Sequence, residues 1–292
     1  MSFSKRRKWA LFFLALSVAA LFPSSIDAQD AKQTAMTIRL ASTIGPIDAG
    51  IVGVLEDAFK KQTGIVVKHV GAGTGAALKM AESGSFDLVL VHARALEEKF
   101  VAEGYGTRRY DLMYNDFVIV GPASDPAGIA GQTSATAALR KIAASRSLFI
   151  TRGDLSGTHV KEVEVWKAAA VEPAGPWYVV YEKGKEGNAQ TLKYVDERQG
   201  YTLMDRATYI TLKHQLKLKV LVENDPVLLN YITLIPVSPK KFPSVKYGEA
   251  MKFVDFTTSV EGQRIIRDFG RDKFGESLFF PNSPMGKNLP TN

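Results

Sequence analysis

Ile150-Thr151-Arg152-Gly153-Asp154-Leu155-Ser156-Gly157-Thr158-His159 is the stretch on which the fold turns. The apolar residues 148–150 read as the end of a strand, and 157–170 reads as a helix. Ser156 fits between them as the N-cap, its hydroxyl accepting from a free amide of the first turn. A helix start leaves about four N–H groups without partners and carries a partial positive charge. The amides around Gly157, the hydroxyls of Ser156 and Thr158 and the Arg152 guanidinium make a donor-rich pocket for an anion. Ser-Gly-Thr alone would suit any capped surface helix. Arg152 at the strand tip, pointing where the amides point, favours the anion. Asp154, two residues on, is expected to orient that guanidinium.

Working outward, the same strand-loop-helix unit recurs toward the N-terminus. Residues 37–41 alternate as a strand and run into a loop over 42–50 that carries Ser42 and Thr43. Ile51, Val54, Leu55 and Phe59 fall on one helical face, stopped by Gly64. A second strand, 65–70, ends in Gly71-Ala72-Gly73-Thr74-Gly75, with a helix over 76–82. The unbroken apolar run 86–91 predicts a strand covered on both faces, and 94–103 a helix. A strand over 115–122 follows, with a crossing between lobes near Tyr114. Residues 134–144 read as a helix, 177–181 as a strand, and Asp205 as the cap of another helix. Strands over 218–222 and 231–237 bracket a return crossing around Asn230. Helices over 247–258 and 262–269 precede a loose tail, 283–292. This predicts an α/β protein of two lobes, 36–114 with 232–292 and 115–231, joined by two crossings around a cleft. In open α/β sheets ligands bind beyond the carboxyl ends of strands. Ser42, Thr43, Thr74 and Gly75 from one lobe, and Arg152, Ser156, Gly157 and Thr158 from the other, can share that rim.

The chain has 292 residues, 46% hydrophobic and 23% charged, an ordinary globular composition. Lys5-Arg6-Arg7-Lys8, an apolar run from Trp9 to Phe22 and the small-residue site Ile26-Asp27-Ala28 have the layout of a secretory signal peptide. The run is short of the ~20 apolar residues of a membrane span. Cleavage near Ala28 would remove four basic residues and one acid, so the net charge falls from +7 to +4. That mild excess suits small anions and does not call for nucleic acid. The absence of cysteine excludes disulfides, thiolate metal sites, a cysteine nucleophile and a lipid-anchored cysteine. A freely diffusing periplasmic monomer is the expectation.

Catalytic readings are weaker. Gly71-Ala72-Gly73-Thr74-Gly75-Ala76 matches a dinucleotide fingerprint, yet the acid that should end the next strand is absent, since that strand ends in Val91-His92. The glycines are read instead as letting backbone amides approach an anion, though a plain tight turn fits equally well. His69, His92, His159 and His214 are scattered without metal-ligand spacing, so no metal site and no cofactor are expected. No G-x-S-x-G elbow surrounds a serine. A hydrolase of anionic esters with Ser156 as nucleophile is the alternative of a different class, and it lacks an evident base.

Segments 40–43, 70–75, 113–122, 151–159 and 201–209 together resemble the periplasmic tungstate-binding proteins of ABC transporters. The most specific pieces are Tyr114-Asn115-Asp116-Phe117-Val118-Ile119-Val120-Gly121-Pro122 and Arg152-Gly153-Asp154-Leu155-Ser156-Gly157-Thr158-His159. The resemblance runs from about residue 38 to 280. It implies a two-lobed, type II solute-binding fold that closes on a tetrahedral oxyanion, with a membrane permease as partner and no catalysis. The family's arginine and threonine fall on Arg152 and Thr158, its first-loop hydroxyls on Ser42 and Thr43, and its G-T-G loop on Gly73, Thr74 and Gly75. The chain departs from the pattern at Ile44-Gly45-Pro46 and at Lys185-Glu186-Gly187-Asn188, and molybdate or phosphate is the alternative ligand. Phosphate carries a proton near neutral pH and rewards an acceptor in the site, whereas tungstate and molybdate are fully ionised and suit donors alone.

Overall fold

The computed structural model describes residues 36–290. The expected signal peptide, 1–28, and the polar residues after it lie outside the described residues. β1 (Thr37–Thr43) leads through α1 (Ile44–Ala49) and α2 (Ile51–Thr63) to β2 (Val66–Ala72), and α3 (Thr74–Ala81) leads to β3 (Leu88–Val91) and α4 (Arg94–Ala102). β1 lies between β2 and β3, parallel to both, with Leu40 opposite His69 on one side and Leu88 on the other. Parallel neighbours need crossovers, which these helices supply. Leu88 and Leu90 enter one core cluster and Val89 and Val91 another, so both faces of β3 are covered, as its unbroken apolar run requires.

Three local expectations are corrected. The loop expected over 42–50 contains α1, because Pro46 sits in a first turn, where its missing N–H breaks no helix bond. The helix expected from Ala76 starts at Thr74 with Gly73 as cap, so Thr74 belongs to a helix start. On α2, Val52 is buried and Val54 is 42% exposed. At about 100° per residue, the stripe through 51, 55 and 59 advances about 40° per step, toward 52 and away from 54.

β4 (Tyr110–Gly121) is one strand of 12 residues. After it come α5 (Ala135–Ser145), β5 (Phe149–Thr151), α6 (Gly157–Ala168), β6 (Tyr178–Val180), α7 (Asn188–Arg198), β7 (Thr202–Asp205), α8 (Arg206–Leu212), β8 (Lys219–Val222) and β9 (Leu229–Pro236). The first part of β4, residues 110–116, pairs antiparallel with β9, and residues 117–121 pair with β7 and β8. The chain near Tyr114, where a crossing is expected, is continuous strand. Asn230 likewise lies within β9, opposite Asn115, and donates through Nδ2 to Asn115 Oδ1 at 2.7 Å. Two chain segments crossing side by side satisfy each other's backbone groups by pairing, which a loop would leave to water. β5 and β6 form a parallel pair, and the Ile150 amide reaches the Tyr201 carbonyl at 2.8 Å, tying that pair to the start of β7.

α9 (Tyr247–Thr258), α10 (Val260–Asp268), α11 (Arg271–Phe274) and β10 (Phe280–Pro281) complete the chain. Phe59 and Phe253 meet edge-on at 5.1 Å in the core beneath β1–β3, and Trp166 and Phe149 do so at 5.1 Å in the core around β5. Ala207 and Ile210 of α8 pack with Leu112 and Met113 in the first of these cores. The tail expected to be loose is tied down at its start. Gln263 Oε1 accepts from the amides of Asn282 and Ser283, each at 3.1 Å, and Ser283 is fully buried.

Candidate functional site

Between β5 and α6 the chain turns through two left-handed residues, Gly153 (φ 62°) and Leu155 (φ 60°). A Cβ on Gly153 would come within 2.5 Å of Val180, so glycine is required there twice over. Asp154 holds the turn from inside: Oδ1 accepts from the Ser156 amide at 3.2 Å and Oδ2 from Arg152 Nη2 at 2.6 Å. Ser156 is the N-cap of α6, accepting from the His159 amide at 3.4 Å. Its own hydroxyl proton is not used by that bond and stays available to donate. His159 Nδ1 accepts from the Leu155 amide at 2.9 Å, which needs a neutral ring, and burial with the Arg152 charge lowers its pKa. The His159 ring is thus engaged with the Leu155 amide and the Ser156 hydroxyl oxygen with the His159 amide.

Arg152 is nine-tenths buried. Nη1 donates to Asn188 Oδ1, and Nη2 donates to Asp154 and, at 3.0 Å, to the Gly184 carbonyl. Gly184 can approach only because it lacks a side chain, since a Cβ there would sit 2.1 Å from the Arg152 carbonyl oxygen. Asn188, the first residue of α7, in turn donates through Nδ2 to Asp205 Oδ2 at 2.5 Å. Asp205 caps α8, as its sequence position predicts, accepting from the Thr208 amide and hydroxyl. Burial raises the Asp205 pKa. Asp48 on α1 is raised by burial and by Asp205 and lowered by Arg152, which puts this carboxylate of the first half within the field of the guanidinium.

Ser42 and Thr43 end β1 and are buried; Ser42 donates to the Thr43 carbonyl at 3.1 Å. Thr43 stands at the N-cap position of α1 without making a side-chain cap. Thr74 opens α3, and Thr158, in the first turn of α6, is 6% exposed. Among the described residues, four buried side-chain polar atoms have no hydrogen-bond partner: Thr43 Oγ1, Thr74 Oγ1, Arg152 Nε and Glu97 Oε1. The first three belong to residues picked out in the sequence as anion donors. Each such atom costs about 1–3 kcal/mol unless something pairs with it.

Thr74 and Gly75 line a cavity of about 360 Å³ together with Gly157, Leu155, Lys161 and His92. The starts of α3 and α6 thus face one space, although Ser42, Thr43, Arg152, Ser156 and Thr158 are not among its lining. The His92 ring lies on the α6 start: a Cβ on Gly157 would meet its Cε1 at 2.4 Å. Burial, helped by Lys161, lowers the His92 pKa to about 4, so the ring is neutral at pH 7. A larger cavity of about 680 Å³ lies at Tyr114, Asp116, Arg206 and Glu276. It is a poorer anion site, because Arg206 already pairs with Asp116 and Glu223, each at 2.6 Å. Among the described residues no group of three or more His, Asp or Glu is placed to hold a metal ion.

Sequence reading missed Gly184, Asn188, His92 and the inward role of Asp205. They reach Arg152 and Gly157 across long stretches of chain, and the local signals were the departure at Lys185-Glu186-Gly187-Asn188 and the helix-start position of Asn188 after Gly187.

The chain matches the model of the PBP superfamily domain over residues 28–261. It is 40% identical over 272 residues to the tungstate-binding protein TupA of Peptoclostridium acidaminophilum, spanning 92% of this chain and 94% of that protein. Among solved structures, the tungstate-binding protein TupA from Desulfovibrio alaskensis G20 superposes with a TM-score of 0.77 at 43% identity, over 85% of this chain and all of that one. The tungstate ABC transporter protein from Geobacter sulfurreducens gives 0.71 at 45% identity, over 80% and 98%.

Proposed function

The chain belongs to the PBP superfamily, in one family with the tungstate-binding proteins, and on that premise we propose that it is the receptor that captures tungstate for an ABC importer. The observation that carries the reading is the set of orphaned donors, Thr43 Oγ1, Thr74 Oγ1 and Arg152 Nε, at the ends of β1 and β5 and the start of α3. A tetrahedral dianion has four oxygens and no proton, so it accepts from all of them. The first turn of α6 adds free amides and the Ser156 and Thr158 hydroxyls.

Engagement of the carboxylates nearest Arg152 favours tungstate over phosphate. Both oxygens of Asp154 accept within their own loop. Both oxygens of Asp205 accept from Thr208 and Asn188. A protonated anion therefore finds fewer open lone pairs on either, two of about four being taken on Asp154 and three on Asp205, and a fully ionised one loses nothing by that. Molybdate, of the same shape and charge, is the ligand hardest to reject. The protein acts by binding, without turnover and without a cofactor. The halves 36–114 with 232–292 and 115–231 close on the anion as lobes about the β4–β9 ladder. A periplasmic monomer, released from its signal peptide and docking on a permease, completes the reading; among the described residues no helix is long and apolar enough to cross a membrane.

Thermal unfolding of the purified protein tests this. A ligand that binds only the folded state stabilises it by RT ln(1 + [L]/Kd), about 4 kcal/mol at a thousandfold excess over Kd. Tungstate should raise the melting temperature far more than phosphate or sulfate. A clear shift with phosphate and none with tungstate would replace this reading with the phosphate alternative.

A further inference from the structure

Arg152 is held by more than its own loop. One of its three protein partners, Asp154, lies two residues away, and the Gly184 carbonyl is a backbone contact. The third is the amide of Asn188, a side chain with a polarity. Its Oδ1 faces Arg152 Nη1 and its Nδ2 faces Asp205 Oδ2. A flipped amide would set NH₂ against a guanidinium and oxygen against a carboxylate, so both neighbours enforce the same orientation. Asp205 is itself anchored, because Oδ1 accepts from the Thr208 amide at 2.8 Å and Oδ2 from the Thr208 hydroxyl at 2.6 Å. The helix it caps is fixed in turn by Ala207 and Ile210 in the core with Leu112 and Met113.

We propose that Asn188 is a positioning residue for anion binding: wedged between Arg152 and the helix-capping carboxylate of Asp205, it locks the guanidinium in place with Nε left free for the ligand. The inference rests on the reading of Arg152 as the cation of the site. An arginine that is free to move must lose its side-chain freedom when the anion arrives, and that loss weakens binding. With Nη1 and Nη2 already tied to three different segments, little freedom remains to be lost. The orphaned Nε is the consequence: every other nitrogen of the guanidinium has a partner, and Nε has none.

The polarity of the relay supplies its test, because donor and acceptor can be exchanged. In the double variant Asn188→Asp with Asp205→Asn, the carboxylate at 188 accepts from Arg152 and from the amide at 205, whose oxygen can still accept from Thr208. Each single variant instead sets two like groups against each other. The dissociation constant for sodium tungstate is measured by titration calorimetry for wild type, Asn188→Leu, Asn188→Asp, Asp205→Asn, the double exchange and Arg152→Ala, together with each melting temperature without tungstate. Asn188→Leu should weaken binding at least tenfold, Asn188→Asp more so, and the exchange should recover affinity to within about fivefold of wild type. Wild-type affinity in Asn188→Leu overturns the proposal. So does an exchange variant that binds no better than either single variant, and this comparison decides the matter if Asn188→Leu does not fold. Retained binding in Arg152→Ala overturns the reading of the site itself. Loss in Arg152→Ala with normal binding in Asn188→Leu overturns the role of Asn188 alone.

Discussion

Thr43→Val should move stability and affinity in opposite directions. Thr43 is 2% exposed, makes no cap bond to α1, and its Oγ1 has no partner in the protein. A buried hydroxyl left unpaired costs about 1–3 kcal/mol, and valine has nearly the same shape and suits the end of a strand. Without tungstate the variant should therefore be more stable by about 1 kcal/mol, a rise of about 2–4 °C in Tm for a chain of this size. With tungstate the same hydroxyl would donate to a dianion. A hydrogen bond to a charged group contributes about 1.5–3 kcal/mol, so Kd should rise about ten- to a hundredfold. Denaturant unfolding without ligand and calorimetric titration with tungstate read the two effects separately. A variant that is less stable yet binds normally would show that the hydroxyl serves the fold, and would refute its place in the site. Loss of both would refute it equally, because the affinity change would then follow from damage to β1.

On the opposite half, Thr158→Val should weaken tungstate by a similar ten- to hundredfold; a silent variant would mean that one half alone holds the anion. Arg152→Ala should abolish most of the binding measured by calorimetry. Arg152→Lys should restore only part, since one ammonium cannot reproduce the three protein contacts of the guanidinium and still reach the ligand. Glu162 gives a pH test of the fold. Burial pushes this α6 carboxyl up to about 7 from 4.5, while Tyr178 and Trp166 donate to it. Between pH 4.5 and 7 the unfolded chain gives up a proton that the folded chain keeps, so stability falls across that window, by about 3 kcal/mol in all, and stays lower above it. Glu162→Gln keeps the acceptor and should melt higher than wild type at pH 8 but not at pH 4; equal melting at both would show that Glu162 does not titrate in this way.

What could be read from sequence is what depends on neighbours in the chain. The turn from Arg152 to His159 carries its own instructions, a cap serine, a glycine at positive φ and an aspartate two residues from its arginine, and it folds as those imply. The continuous apolar run at β3 also holds, because its two faces are covered by different helices. What escaped depends on distant partners. Gly45-Pro46 looks like a chain break until the proline is seen in the first turn of α1. That the chain at Tyr114 and at Asn230 runs as paired strand shows only when β4 and β9 are laid side by side. Asn188 is 36 residues from Arg152 and Asp205 is 17 from Asn188, so no local pattern announces that the three form one chain of hydrogen bonds. His92 against Gly157 is the same case, a contact between the end of β3 and the start of α6.

The most direct test of the central claim is calorimetric titration of one protein preparation with tungstate, molybdate, phosphate and sulfate at the same pH and salt. A site of donors whose nearby carboxylates Asp154 and Asp205 are already engaged should bind tungstate tightly, with molybdate the nearest competitor and phosphate at least a hundredfold weaker. Tight binding of phosphate, with tungstate weak or silent, would contradict it.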